Sequence, residues 1–394
     1  MRSKTSKWLK YLAFILTLCM LLCFTGCNGG EGEESSSSDM SQVEEPGVYH
    51  KVGFIFSGKA DDPGFAAEIN SQRILASNRT GMDTCYIENV TISEFETAVK
   101  KLADAGCTDI VSCSATFTNI ARITAGKYMN LNFINYGATS GSANSIAYTE
   151  HTFQGAYVAG IAAAYNSKVR KIGVVVDADL IYDTAVTNAI ALGAQRVFQS
   201  ATIYVSEGHS KTELKNAIDQ LKGYGVDVIV TYTASTYAAD YCQSQGIKFI
   251  SNHDHSSNYD SYSNMIMYYY SKRDSYLVAK FKQMQLDQWQ PENYVGTMGN
   301  GVITVSHELD GSKGELQKII DAITPKLASG EAYIFDGKRG ELLDNTGVVQ
   351  CLQKDELTLS EIYNMSWYVM GVTMLGSTRL PGFDGQPNDF VVKE

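Results

Sequence analysis

The sequence is poor in positive charge. Its 394 residues include 32 Lys and Arg against 43 Asp and Glu, which gives a net charge of −11. Because nucleic-acid binding requires a basic face, this balance argues against a nucleic-acid partner. With 44% hydrophobic residues, the chain is long enough for two ordinary domains with proper cores.

Common catalytic and phosphate-binding motifs are also missing. The glycines of 296–301 are not in the order of the dinucleotide fingerprint, and the sequence has no P-loop. Residues 137–141 begin and end in glycine but have no serine at their centre, so they are not a nucleophile elbow. We therefore expect a protein that is not an enzyme and needs no cofactor.

Cysteine is scarce, with eight in the whole chain. The five that follow Cys27 have no spacing typical of zinc sites, and most lie in apolar runs; they are Cys85, Cys107, Cys113, Cys242 and Cys351. We expect them to be small buried apolar side chains, with no metal bound and no disulfide framework.

The N-terminal region has no apolar run of membrane-spanning length. Tyr11 to Phe24 is uncharged, follows a basic segment and is too short for a confident membrane span. It ends in Phe24-Thr-Gly-Cys27, which resembles the lipobox of bacterial lipoproteins, with Phe24 in place of the usual Leu. The resemblance implies a signal peptide over 1–27 and lipidation of Cys27, which would anchor the chain at the outer face of the cell membrane. An uncleaved anchor or a plain signal peptide is the alternative, and either would take the protein out of the cytoplasm.

Residues 28–50 are rich in Gly, Glu and Ser, and contain little that could be buried. This composition predicts a disordered acidic tether. The folded part is therefore expected to begin near Lys51.

A strand, a turn and a helix follow the tether. Lys51 to Ser57 is an apolar run typical of a buried strand, a turn with Pro63 and Gly64 interrupts it, and a helix is predicted from Phe65 to Asn78. Open α/β sheets bind ligands where such a strand ends. Asp61, Asp62 and Phe65 are therefore candidate ligand-binding residues.

The pattern of this first half repeats. Three strand-like segments recur in the same order, displaced by 120, 118 and 116 positions; they are 51–55 with 171–175, 108–111 with 226–229, and 131–134 with 247–250. We predict an α/β fold of two similar lobes, each a parallel sheet flanked by helices, hinged around a cleft. The first lobe is expected over 51–168, with a return around 271–293 and near the C-terminus. The second is expected over 169–270, continuing over 294–360.

The ligand is expected where the strand ends of the two lobes face each other. These ends are 57–65, 112–117 and 135–139 in the first lobe, and 177–182, 232–235 and 252–255 in the second. Tyr232 would be an aromatic face opposite Phe65, or else would pack in the core or at the rim of the cleft. Asp254 would supply polar contacts.

Several segments together resemble one family, the basic membrane proteins, which are nucleoside-binding lipoproteins of ABC importers with the type I periplasmic-binding-protein fold. The similar segments are 61–65, 153–160, 226–230, 344–347 and 367–372. The resemblance implies a nucleoside in the cleft, stacked on Phe65 and hydrogen-bonded by Asp61 or Asp62. The alternatives are that Phe65 packs the helix start against the sheet and that Asp62 caps the helix. The resemblance also implies that Asp254 and Lys272 contact the ligand, and that a membrane permease is the partner.

The sequence also departs from this family. Gly64 and Ala66 replace its usual Ser and Asn, no Asp ends the strand near Asn135, and its Trp-Asp-Asp-like segment is absent around 207–209. Three alternatives remain open: a lipoprotein for a sugar or another metabolite, a sensory lipoprotein, and a surface hydrolase. The hydrolase would use His253, Asp254 and His255, a segment whose two histidines could also bind a metal if a third ligand lay nearby.

Overall fold

The computed structural model describes residues 49–177, 180, 183–307, 309 and 314–376. The predicted signal peptide with Cys27, nearly all of the predicted tether, and four residues of the strand end 177–182 lie outside these ranges. Within them, no helix combines the length and the apolar character that crossing a bilayer would require.

The strands are short and mostly apolar. They are β1 (Lys51–Ile55), β2 (Asp83–Ile87), β3 (Asp109–Ser112), β4 (Asn132–Tyr136), β5 (Ser145–Glu150), β6 (Lys171–Val176), β7 (Thr202–Glu207), β8 (Val228–Tyr232), β9 (Lys248–Ser251), β10 (Met265–Ser271), β11 (Asn293–Gly296), β12 (Ile303–Val305), β13 (Leu342–Leu343), β14 (Val349–Cys351) and β15 (Val372–Met374). The inner strands, such as β3 and β8, are buried along their whole length, as expected for parallel sheets covered on both faces, while the edge strand β2 is partly exposed.

Helices connect most of these strands. They are α1 (Phe65–Thr80), α2 (Phe95–Asp104), α3 (Thr118–Lys127), α4 (Thr152–Asn166), α5 (Asp183–Val197), α6 (Lys211–Gly223), α7 (Tyr237–Ser244), α8 (Asp274–Gln285), α9 (Gly314–Ser329) and α10 (Leu359–Tyr363). Short 3-10 turns at Ile92–Glu94 and Ala115–Phe117 precede α2 and α3.

The first lobe is a six-stranded parallel sheet in the order β11-β5-β4-β3-β1-β2. Helices α1 and α8 cover one face, with Leu277 and Phe281 packed in the same core as Phe54. Helices α2 and α3 cover the other face. Helix α8, which lies within the segment 271–293, therefore belongs to the first lobe.

The second lobe is a seven-stranded sheet in the order β12-β10-β9-β8-β6-β7-β15, with β12 antiparallel to β10. Its largest core lies under α4, α5 and α9. Helices α4 and α5 are in backbone contact, since a Cβ at Gly160 would collide with the Ile190 carbonyl and one at Gly193 with the Tyr157 carbonyl. The Gly- and Ala-rich sequence of α4 is what permits this approach.

Two features differ from the predicted lobe limits. Helix α4 lies within the expected first lobe 51–168, but its apolar side chains are part of the second-lobe core, so the chain changes lobe just after β5. Strand β15 pairs with β7 in the second sheet and does not return to the first. The sequence pattern also fails to predict β5.

The described chain crosses between the lobes at three places. These are the connections from β5 to α4, from β10 to α8, and from β11 to β12. Backbone hydrogen bonds tie the crossings together: His151 N donates to Gly296 O (2.8 Å), and Lys272 N donates to Val302 O (2.7 Å).

Candidate functional site

The lobes touch where the loop after β1 meets the segment after β8. Gly64 and Ser235 form an antiparallel bridge, Phe65 N donates to Ala234 O (2.9 Å), and Thr236 N donates to Pro63 O (3.3 Å). Gly64 has φ of 124° and ψ of −141°, a region that side chains rarely adopt. A Cβ there would collide with the Ala234 carbonyl oxygen and lie 2.6 Å from Ser235 Cα. A glycine at this position is therefore what allows the two backbones to meet.

A carboxylate of the first lobe reaches across to the second beside this contact. Oε1 of Glu68, in the first turn of α1, lies 3.0 Å from His253 Nδ1 and accepts a hydrogen bond of 3.0 Å from Asp254 N. Burial opposes the charge of Glu68, but His253, the charge of Arg273 and the hydrogen bond from Asp254 N together outweigh it, so the net effect is a lowered pKa. Glu68 is thus a charged group that holds the lobes together.

A buried ion pair joins two of the lobe crossings. Arg273 Nε lies 2.6 Å from Glu150 Oε1, and Arg273 Nη2 donates to Glu150 Oε2 at 2.7 Å. The guanidinium carbon also lies 4.8 Å from the centre of the Phe65 ring and 5.8 Å from that of Tyr136. Burial disfavours the charge of Arg273, yet the nearby Glu150 raises its pKa above the usual value.

Several buried polar atoms near these residues have no hydrogen-bond partner among the described residues. They are Ser112 Oγ, Asn135 Oδ1, Tyr136 Oη and His253 Nε2. All four residues are 3% exposed or less and lie at or just after the carboxyl ends of β3, β4 and β9. Because unpaired polar groups are costly to bury, a cluster of them at the strand ends is typical of a surface that hydrogen-bonds a ligand.

The predicted site residues differ in their burial and in their distance from the contact between the lobes. Phe65 lies at the lobe contact under Arg273, and Asp254 is half-buried beside Glu68, with its own Oδ1 accepting from Ser256 N (2.9 Å). Asp61 and Asp62 are exposed in the loop before α1. The N-cap position of α1 is taken by Gly64, so the alternative role of Asp62 as a helix cap does not apply.

The other two predicted residues differ in burial. Tyr232 is 7% exposed and is part of the second-lobe core. Lys272 is exposed, while its neighbour Arg273 is buried.

Sequence reasoning missed Glu68, Glu150 and Arg273. Glu68 follows Phe65 by three positions on a predicted helix, so the shared helix face could have revealed it. Arg273 was missed by one position, because register after a strand is hard to fix from sequence alone. Nothing local singled out Glu150, since the strand that carries it was not predicted.

The segment considered for metal binding has other contacts. His253 faces Glu68, while His255 Nε2 lies 2.9 Å from Ser251 Oγ. Burial, and next the neighbouring His253, lower the pKa of His255. Among the residues that the structure describes, no group of three or more His, Cys, Asp or Glu could hold a metal ion.

Comparison with known proteins gives a family and a consistent fold. The profile of the PnrA-like ABC transporter substrate-binding proteins matches residues 49–336. A purine-binding protein of Brucella abortus (strain 2308) is 24% identical over 336 residues, covering 82% of this chain and 92% of that protein. The matched range of the profile ends before 344–347 and 367–372, so those two resemblances rest on the sequence motifs alone.

Solved structures show the same architecture. An ABC transporter solute-binding protein from Conexibacter woesei aligns with a TM-score of 0.60 at 18% identity, covering 72% of this chain and 98% of that one. One from Aeropyrum pernix aligns with a TM-score of 0.62 at 15% identity, covering 72% and 92%. The two-lobed α/β fold predicted from the sequence is thereby confirmed as that of type I periplasmic binding proteins.

Substrate-binding proteins of ABC transporters face the outside of the cell, take a small-molecule ligand and work with a membrane permease. The profile match covers most of the chain and includes both sheets up to β12, together with the lobe contact and the polar cluster. The protein therefore belongs to the PnrA-like family of ABC transporter substrate-binding proteins.

Proposed function

We propose that the protein binds a purine nucleoside in the cleft between its lobes and delivers it to the permease of an ABC importer. The observation that carries this proposal is the position of Phe65 beside buried polar atoms that lack partners among the described residues. A nucleoside needs both kinds of contact, because its base has a flat apolar face and a polar edge. The name of the Brucella relative supports the choice of a purine.

Phe65 would stack on the base, and the side chains at the strand ends would form hydrogen bonds with the nucleoside. Stacking of a base on an aromatic ring contributes about 1–3 kcal/mol and tolerates different bases. Asn135 Oδ1 is an acceptor, and Ser112 Oγ and Tyr136 Oη can donate or accept, so together they could pair with base N–H groups and ribose hydroxyls. Arg273 would be a positioning residue, since its charge is already neutralised by Glu150.

Closure would couple binding to transport. The Gly64–Ser235 bridge and the contacts of Glu68 with His253 and Asp254 exist only when the lobes are together. A ligand that contacts both lobes favours this closed state and shifts the population toward it. The permease could then distinguish loaded from empty protein by shape.

We also propose that Cys27 is lipidated, which would hold the protein at the outer face of the membrane. The support is the lipobox-like segment Phe24–Cys27 together with a family that works outside the cell. Metabolic labelling with a fatty-acid probe tests it: label is expected on the wild type and should be absent from Cys27→Ala.

The ligand proposal is tested by thermal shift and calorimetric titration with purine nucleosides, pyrimidine nucleosides, free bases and sugars. A purine nucleoside at about 100 times its Kd should stabilise the protein by about 2.7 kcal/mol. Phe65→Ala should weaken its binding about 5- to 150-fold, as expected for the loss of 1–3 kcal/mol of stacking. Tyr86→Ala, which removes an exposed aromatic ring from edge strand β2, is the matched control.

Two results would contradict the proposal. Stabilisation by sugars alone would keep the substrate-binding role and reject the nucleoside. Unchanged nucleoside affinity in Phe65→Ala would reject the stacking role of this ring.

A further inference from the structure

Two of the five cysteines in the described part of the chain lie against each other. The Sγ atoms of Cys85 and Cys107 are 3.3 Å apart, which is direct contact between sulfurs. Cys85 lies on β2, the edge strand of the first sheet, and is half-buried. Cys107 is 3% exposed and lies in the turn between α2 and β3.

The other thiols have different surroundings. Cys113 Sγ lies 3.5 Å from the Val111 carbonyl and Cys351 Sγ lies 3.8 Å from the Leu352 carbonyl, while Cys242 is buried in the second-lobe core. Cys85 differs from all three because it is accessible as well as close to a second thiol.

We propose that Cys85 and Cys107 are joined by a disulfide bond in the exported protein. The proposal rests on the extracytoplasmic location implied by the family and not on the identity of the ligand. Outside the cytoplasm, thiols meet oxidants that the cytoplasm lacks. The bond requires the two sulfurs to approach by little more than 1 Å, since a disulfide is about 2.05 Å long.

The oxidant would be a disulfide of an exported thiol–disulfide oxidoreductase or of a small thiol. The accessible Cys85 thiolate attacks one sulfur of this disulfide, which releases one thiol and leaves a mixed disulfide. Cys107 then attacks Cys85 Sγ and releases the second thiol. Two thiols of the protein are oxidised, one disulfide is reduced to two thiols, and the two protons leave with those thiols.

Cys85 is the thiol that reacts first, because it is accessible while Cys107 is buried. Burial, and next its hydrogen bond with Cys85, raise the pKa of Cys107 to about 12, so its thiolate is rare at neutral pH. The attack by Cys107 is helped instead by its fixed position next to Cys85. The bond would close a loop that contains α2 and would attach the edge strand β2 to the end of that helix.

The test uses the full chain, expressed with its own N-terminus and recovered from the membrane and soluble extracytoplasmic fractions under an alkylating quench. Mass spectrometry without reductant is expected to find the peptides of Cys85 and Cys107 linked, while Cys113, Cys242 and Cys351 are alkylated after unfolding. Reduction should lower the melting temperature of the wild type by a few degrees. Cys85→Ser should lack this dependence on reductant, and Cys113→Ser should retain it.

Two results would overturn the inference. One is full alkylation of both Cys85 and Cys107 in the exported protein. The other is a reductant-dependent melting shift that persists in Cys85→Ser, because another thiol would then be responsible.

Discussion

Replacement of Gly64 by Ala tests whether the backbone contact between the lobes is needed to hold a ligand. Gly64 lies at φ of 124°, and a Cβ there would collide with the Ala234 carbonyl and with Ser235 Cα. Both obstacles are backbone atoms, so no side-chain rotation can relieve them. The loops must separate, which removes the hydrogen bonds of Phe65 N and Thr236 N to the opposite lobe.

The size of the expected loss of affinity follows from these two backbone hydrogen bonds. Each backbone hydrogen bond contributes a net 0.5–1.5 kcal/mol or so, which makes the closed state about 1–3 kcal/mol less favourable. Ligand affinity should therefore fall about 5- to 150-fold. The unfavourable φ of an alanine at this position adds strain of about 1–3 kcal/mol. If the loop keeps its shape, this strain is the same in the open and closed states. It therefore lowers the stability of the folded protein more than it lowers the affinity for ligand.

Calorimetric titration of Gly64→Ala with the nucleoside that binds the wild type measures this effect. Gly58→Ala in the same loop is the control, because the nearest atom to its Cβ is Asp62 Oδ2 at 3.7 Å. Urea unfolding of both variants separates stability from closure. Wild-type affinity in Gly64→Ala would refute the reasoning, since the ligand would then be held without this lobe contact.

Three further predictions concern ionisable groups. Burial lowers the pKa of His151 to about 4, so as pH falls this imidazole is protonated in the unfolded chain before it is protonated in the folded protein. The wild type should therefore lose about 2 kcal/mol of unfolding free energy between pH 7.5 and pH 5. Urea unfolding at both pH values measures this loss, which should be smaller in His151→Gln. Arg273→Met leaves Glu150 buried and unpaired, so it should destabilise the protein by about 3–5 kcal/mol in urea unfolding, and the added Glu150→Gln should restore part of this. Glu68→Gln should weaken ligand binding about tenfold at pH 7, because the carboxylate that faces His253 is lost. Since the pKa of Glu68 is lowered, the difference from wild type should persist to about pH 4.5 and vanish only below it, as titrations over this pH range would show.

The sequence determined the fold because its signals for strands and helices are local. The apolar run at Lys51–Ile55 and its counterpart at Lys171–Val176 become interior strands of the two sheets, β1 and β6. Their repetition at a nearly constant spacing was enough to predict two similar lobes. The turn at Gly64 and the helix start at Phe65 were equally visible, because glycine, proline and helical periodicity act over a few residues.

Only the tertiary structure decided which residues meet in the cleft. Phe65 was found because it follows a strand end, but its contact with Arg273 joins positions more than 200 residues apart. Glu68 with His253 and Glu150 with Arg273 are also distant in sequence, by 185 and 123 positions. Such pairs depend on how the lobes pack and where the chain crosses between them, and no local pattern carries that information. The assignment of α4 to the second lobe was decided in the same way, by a close backbone contact with α5 that its small residues permit but do not specify.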